Sequence, residues 1–359
     1  MKTALSTKID NTPKNNDNTA ITWLRFPLIF LVILLHGYSV IMIPGTHHFY
    51  FKTVYLFALW LGETGVPGFF FISGFLYFLS SKTYLEKIKT RCHSLLIPYI
   101  LWNALLLTAY IAAFALGHPQ DINGKNMVNY VWTDYLRLFW DRGSYDNGNF
   151  VPLLCPYWYI RNLLILSFIS PVIYLLNRYF RELYLLAITI WWIHTPHNAF
   201  IQQSILFFSL GAYFSIHDRN PLSLFCRHKT IFISLCVLLA SADIITHIVS
   251  PTIINLQIHR LALISNIPLF FLLANHFTSE GTLSPIASYL SNAAFFVFSI
   301  HYPIVVVLRK GCIQLFSSSN DFIQILLYFT CVIITTLLSL FFYYIMPTKI
   351  KIILSGNRV

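Results

Sequence analysis

Apolar residues run through this chain in long blocks, separated by short polar connections that carry most of its charge. A block of about 20 apolar residues spans a bilayer as an α-helix. Such blocks fall near residues 22–43, 54–80, 95–117, 157–176, 183–195, 201–216, 230–248, 259–277, 289–309 and 322–346. The pattern predicts an all-α polytopic integral membrane protein, with about ten transmembrane helices around a central cavity. The fifth block is short for a span and the second is long. No internal repeat relates the two halves, which argues against a transporter built from inverted repeats.

Three regions follow from where the polar residues lie. The N-terminal MKTALSTKIDNTPKNNDNTA lacks the apolar core and cleavage site of a signal peptide, so residues 1–20 read as a disordered cytoplasmic tail. Residues 21–347 form one transmembrane domain, and residues 348–359 a short basic cytoplasmic tail. Alternate connections hold most of the lysines and arginines: Lys82, Lys87, Lys89 and Arg91, then Arg178 and Arg181, then Arg219, Arg227 and Lys229, then Lys349 and Lys351. The positive-inside rule places these, and both termini, in the cytoplasm.

Composition adds to this picture. Of 359 residues, 57% are hydrophobic and 10% charged, against about 25% charged in soluble domains. The net charge of +11 does not signal nucleic acid, because the basic residues alternate with apolar blocks as membrane topology requires. The six cysteines form no CxxC pair. His47–His48, and His194 with His197, lack the glutamate or cysteine company of a zinc or di-iron site. No metal and no permanently bound cofactor is expected.

The candidate chemistry begins in ITWLRFPLIFLVILLHGYSVIMI. Arg25 and His36 share one helical face and differ in height by about 16 Å. Ionisable groups inside a bilayer are costly and tend to mark function. His36 is a candidate general base, since neutral imidazole can take a proton from a hydroxyl. In LGETGVPGFFFISGFLYF, Gly62, Gly65, Pro67 and Gly68 predict a broken helix, with Glu63 at the break and Ser73 deeper. His301 lies at a depth similar to His36, followed by Pro303. The connection SKTYLEKIKTRCHS offers Lys89 and Arg91 for an anionic donor. In PYWYIRNLL, Trp158 reads as an interface anchor, while Arg161 lies further in and needs a partner, with Glu63 one option. The residues from about His118 to Pro156 predict an interfacial helix within NMVNYVWTDYLRLFWDR.

Several stretches together resemble the acyltransferase-3 family of membrane acyltransferases. They are Arg25-x10-His36, GVPGFFFISGFLYF, LLIPYILWN, YWYIRNLL, FFSLGAYF and FSIHYPIVV, in the family's order from Trp23 to Pro347. The resemblance implies transfer of an acetyl group from cytoplasmic acetyl-CoA to a hydroxyl of an extracytoplasmic or lipid-linked saccharide. It makes Arg25 and His36 the signature pair. The family's RxxR-like basic motif falls on Arg91 and Ser94 here, so the second arginine is missing and Lys89 or His93 would compensate. The expected site is thus His36, Ser73 and His301 for catalysis; Arg25, Lys89 and Arg91 for the donor; and Glu63, Trp158 and Arg161 for the acceptor. A transporter or flippase for a glycolipid or small anion is the alternative reading.

Overall fold

The structure, a computed structural model, describes residues 12–39, 48–122, 124–143, 150–196, 200–249, 253–278, 282–316 and 320–356. Residues 1–11 of the expected tail lie outside these, as do His47, His197 and the side chain of His48. The chain is helical almost throughout. The N-terminal helix α1 (Thr12–Ser39) already begins inside the stretch read as a tail. It is the axle of the fold, and Leu24, Leu28, Ile29, Val32 and Ile33 along it are buried. Four helices pack around it: α3 (Gly65–Leu79), α12 (Ile253–Phe277), α13 (Pro285–Phe316) and α14 (Asp321–Ile345).

By length and composition, seven helices among the described residues can cross a membrane, or eight if the bent pair Cys155–Phe168 and Ser170–His194 is one broken span. Helix Phe200–Ile216 is apolar but shorter. The fourth and fifth apolar blocks therefore divide differently from the sequence pattern. The chain bends by 68° between the two helices of that pair, and α8 (Ser170–His194) continues across residues 176–183. Pro171 sits in the first turn of α8, where its missing N–H leaves no bond broken. A second kink falls at Arg181, whose φ of 48° lies in the left-handed region.

The expected break at Gly62–Gly68 is not an unwound segment. After α2 (His48–Tyr55) the backbone stays helical, passing through a π-turn at Leu56–Leu61 and a 3₁₀ turn at Gly62–Thr64 into α3. The glycines serve contact instead. A Cβ on Gly62 would lie 3.0 Å from the Leu31 carbonyl oxygen, and one on Gly65 would lie 2.7 Å from that of Leu28. This seam lets the second apolar block press its backbone onto α1, as small residues do between membrane helices.

The C-terminal end of the described chain lies beside the segment that follows the basic connection, where a Cβ on Gly356 would meet the Ser94 carbonyl. α1 enters from the Arg25 side. The terminal helix α15 (Thr348–Leu354) docks on α5 (Ile97–Ala115), where Trp102 Nε1 donates to the Leu354 carbonyl at 3.1 Å. The basic helix α4 (Tyr84–Arg91) lies on the same side, capped by a reciprocal Thr83–Glu86 box.

The opposite side is covered by residues 118–122, 124–143 and 150–156. They form a two-residue hairpin (Asp121–Ile122 with Lys125–Asn126), a short helix α6 (Trp132–Arg137) and a small apolar cluster of Ile122, Met127, Leu138 and Leu153. The Lys125–Asp134 ion pair (2.8 Å) and the Arg142 N–H donating to Val151 O (2.7 Å) fix its course. The predicted interfacial helix is therefore only Trp132–Arg137, because the segment spends its apolar residues on this cluster.

Candidate active site

Two cavities are stacked along α1. The first, of about 270 Å³, is lined by Arg25, Ser73, Arg91, Tyr159, Ser291 and Phe298, among others. Arg91 reaches it over the ring of Tyr77, 5.6 Å from the ring centroid. The Ser73 and Tyr159 hydroxyls are hydrogen-bonded at 3.2 Å. The second, of about 390 Å³, is lined by His36, Glu63, Arg142, Trp158, Arg260 and Tyr302, among others. Eleven residues of α1 thus carry the arginine into one cavity and the histidine into the other, as about three turns of helix require.

An aromatic layer separates the cavities. Tyr159 packs on Phe70 with ring centroids 4.7 Å apart, and on Phe298 at 5.8 Å. Phe298 lies 5.9 Å from the ring of His301.

His36 meets two rings from α13: His301 at 5.4 Å and Tyr302, edge-on, at 5.1 Å. The fully buried His301 turns its Nδ1 to the carbonyl oxygens of Phe298 (2.7 Å) and Val297 (3.2 Å). Carbonyls only accept, so Nδ1 carries the proton and Nε2 keeps its lone pair in the neutral ring. That Nε2 is buried without a hydrogen-bond partner among the described residues.

Glu63 does not pair with Arg161. Its Oε2 lies 3.1 Å from Nε2 of His259, whose Nδ1 lies 2.8 Å from Oδ2 of Asp243. Asp243 is fully buried and also accepts from the Tyr55 hydroxyl (3.0 Å) and the Asn255 amide (3.1 Å). This carboxylate–imidazole–carboxylate array fixes the carboxylate that faces the His36 cavity.

Arg161 is buried in a separate crevice. It donates to the carbonyl of Trp140 (2.8 Å) and to Asn162 Oδ1 (3.1 Å), with its guanidinium 4.9 Å from the Trp140 ring centroid. Its partners are neutral, and it faces this crevice and not the His36 cavity. Trp158 does line the His36 cavity, stacked on Phe200 at 4.1 Å.

Two other expected site residues lie apart from His36. Ser73 lines the Arg25 cavity, not the His36 cavity. Lys89 is exposed and lines a shallow surface hollow with Lys82, Glu86 and His93, apart from the cavity shared by Arg25 and Arg91. On one helical turn Lys89 and Arg91 point in different directions, since residues two apart do not share a face.

The sequence reading missed Arg142, His259, Arg260 and Tyr302. Arg260 Nη1 donates to the carbonyls of Trp192, Ile193 (3.2 Å) and Thr195 (2.6 Å). The signal for His259 and Arg260 was present: two ionisable residues inside an apolar block, the criterion that singled out Arg25 and His36.

These features define a polytopic helical membrane protein. One of its helices presents an arginine and an imidazole to two cavities stacked through the bundle. An acyltransferase-domain profile matches residues 18–344, so the chain belongs to the acyltransferase-3 family. It is 27% identical over 175 residues to the succinoglycan biosynthesis protein ExoH of Rhizobium meliloti, covering 45% of this chain and 44% of that protein. It is 32% identical over 106 residues to the nodulation protein NolL of Sinorhizobium fredii, covering 28% of this chain and 27% of that one. The matches thus span less than half the length of either curated relative. No solved structure matches.

Proposed function

We propose that this protein moves an acetyl group from cytoplasmic acetyl-CoA to a hydroxyl of a saccharide on the other side of a bacterial inner membrane, with both termini cytoplasmic. The observation that carries the proposal is the stacking of the Arg25–Arg91 cavity beneath the His36 cavity along one helix. Two arginines suit the phosphates of a nucleotide donor, since guanidinium groups bind such oxygens bidentately. The long arm of coenzyme A then extends the thioester past Tyr159 and Phe298 toward His36. The relatives' names, succinoglycan biosynthesis and nodulation, favour a saccharide or glycolipid acceptor.

In this reading the acceptor hydroxyl attacks the thioester carbonyl while His36 takes its proton. The tetrahedral intermediate collapses, the C–S bond breaks, and the imidazolium returns the proton to the departing thiolate. Transfer is direct, because Ser73 lies on the donor side of the aromatic layer. Trp158 and Glu63 hold the sugar from the opposite cavity.

The test uses purified protein in nanodiscs with acetyl-labelled acetyl-CoA and a saccharide acceptor. Wild-type protein should label the acceptor, and His36→Ala should lower turnover by about 10²-fold or more, the usual worth of a general base. Undiminished turnover in His36→Ala would remove the base from His36. Acceptor movement across liposomes with no binding of coenzyme A would instead favour transport.

A further inference from the structure

Among the described residues, two guanidiniums, Arg142 and Arg260, line the His36 cavity. Glu63 is its one carboxylate among the described residues, and His259 already engages it at 3.1 Å. Arg142 has no ion pair among the described residues, and its Nε is buried with no hydrogen-bond partner. Its neighbours, the Tyr302 hydroxyl and the Cys155 thiol, are neutral groups.

The position of Arg142 is not incidental. The covering segment holds it from both flanks: its own N–H donates to Val151 O at 2.7 Å, and the Asp141 carboxylate accepts from Gly143 N at 3.0 Å. That Asp141 carboxylate is occupied a second time by Arg137, at 3.0 Å. The nearest acid in sequence therefore serves the loop and leaves the Arg142 guanidinium to the cavity. An arginine presents its donors in a fixed fork that matches the oxygens of a carboxylate or phosphate. The guanidinium is hydrogen-bonded to the Tyr302 hydroxyl, but its buried Nε has no partner among the described residues, and a ligand oxygen would remove the cost of such an unmet donor.

We infer that the acceptor entering the His36 cavity carries an anionic group, which Arg142 binds, placing a neighbouring hydroxyl at His36. The inference rests on the acyltransferase reading above. The group is either a carboxylate on the sugar or the phosphate of a lipid-linked saccharide, and both present the same pair of oxygens. The aromatic surfaces of Trp158, Trp192 and Phe200 in the same wall suit the apolar faces of the sugar ring.

The experiment compares three acceptors on the full chain in nanodiscs with labelled acetyl-CoA. One is an oligosaccharide containing a uronic acid. The second is the same oligosaccharide with its carboxyl reduced to the alcohol. The third is the reduced oligosaccharide on a polyprenyl pyrophosphate. The acidic or the lipid-linked acceptor should exceed the reduced one in kcat/KM by about 10-fold or more, as a charge-assisted bidentate contact provides. The preferred one identifies the source of the anion. Arg142→Gln should erase the preference through KM, and Arg142→Lys should restore part of it.

Equal use of all three by the wild type overturns the inference. So does an equal loss on charged and reduced acceptors in Arg142→Gln, which would mark a role in the transition state. Binding of the same three acceptors without donor separates the two readings. Arg142-dependent binding of the charged acceptor without any transfer would count against the acyltransferase reading alone. Binding that ignores both the charge and Arg142 overturns the inference itself.

Discussion

The side chains at this site divide by which cavity they reach, and that division sets what each should do when removed. His301 donates from Nδ1 to main-chain carbonyls and keeps an unpartnered Nε2 beside His36. His301→Ala should therefore lower kcat by about 10²-fold, the low end for a group that assists proton transfer, while KM for acetyl-CoA stays put. A kcat near wild type would return His301 to mere packing. Ser73→Ala should keep most of the wild-type turnover, because its hydroxyl meets Tyr159 on the donor side. A loss as deep as that of His36→Ala would point to an acyl-serine. Arg25, His36 and His301 stood out along the chain through their cost in a bilayer. The chain alone could not give Glu63 its partner, since His259 lies 196 residues away and only the packing of α12 against the second block brings the two together. The partners of Arg161 were hidden for a related reason. A buried guanidinium can be satisfied by carbonyls and an amide, and nothing local shows that those will be supplied by Trp140 and Asn162.

The helices themselves were legible, and the roles of their glycines were not. The second block was read as broken because Gly62, Gly65, Pro67 and Gly68 are poor helix formers, yet tertiary contact overrides propensity in a packed bundle. The tightest example joins α3 to α9 (Phe200–Ile216). A Cβ on Gly74 would lie 2.0 Å from the carbonyl oxygen of Phe208, and one on Gly211 would lie 1.9 Å from that of Phe71. Those neighbours are backbone and cannot swing away. Gly74→Ala and Gly211→Ala should each destabilise by at least about 1–3 kcal/mol, the usual cost of overpacking. Thermal unfolding of the solubilised protein should show a clear drop in Tm, and an unchanged Tm would mean the helices are further apart. The covering segment carries a separate, pH-dependent prediction. The Lys125 ammonium, together with the Val131 N–H, holds the Asp134 carboxyl below the usual carboxylate range. A carboxyl with a lowered folded-state pKa contributes stability above its unfolded value of about 4 and loses it as pH falls through the folded value. Hydrogen exchange over residues 125–134, corrected for intrinsic rates, should show protection at neutral pH that fades in acid. Asp134→Asn should lack that protection at neutral pH and show no acid step.

At the scale of the whole molecule, a layer of aromatic rings separates the Arg25 cavity from the His36 cavity, and the proposed division of donor and acceptor between them is open to kinetics. Binding energy realised in one cavity should appear in the KM of the substrate that occupies it and in no other. Arg91 lies beside Arg25 on the donor side, so Arg91→Ala should raise KM for acetyl-CoA by about tenfold or more, the worth of one charge-assisted contact. Trp158 faces the opposite cavity, so Trp158→Ala should raise KM for the saccharide and leave that for acetyl-CoA in place. Phe298 belongs to the layer between, with Tyr159 on one side and His301 on the other. Enlarging it thickens the layer that, in the proposed reaction, a thioester from the Arg25 cavity must pass to meet a hydroxyl at His36. Phe298→Trp should accordingly depress kcat while both KM values hold, provided the Tm of the variant shows that it folds. Initial rates over a grid of both substrate concentrations read all three variants at once. A crossed pattern, with Arg91→Ala weakening the saccharide or Trp158→Ala weakening acetyl-CoA, would mean that both substrates share one cavity, and the direction of transfer along α1 would have to be abandoned.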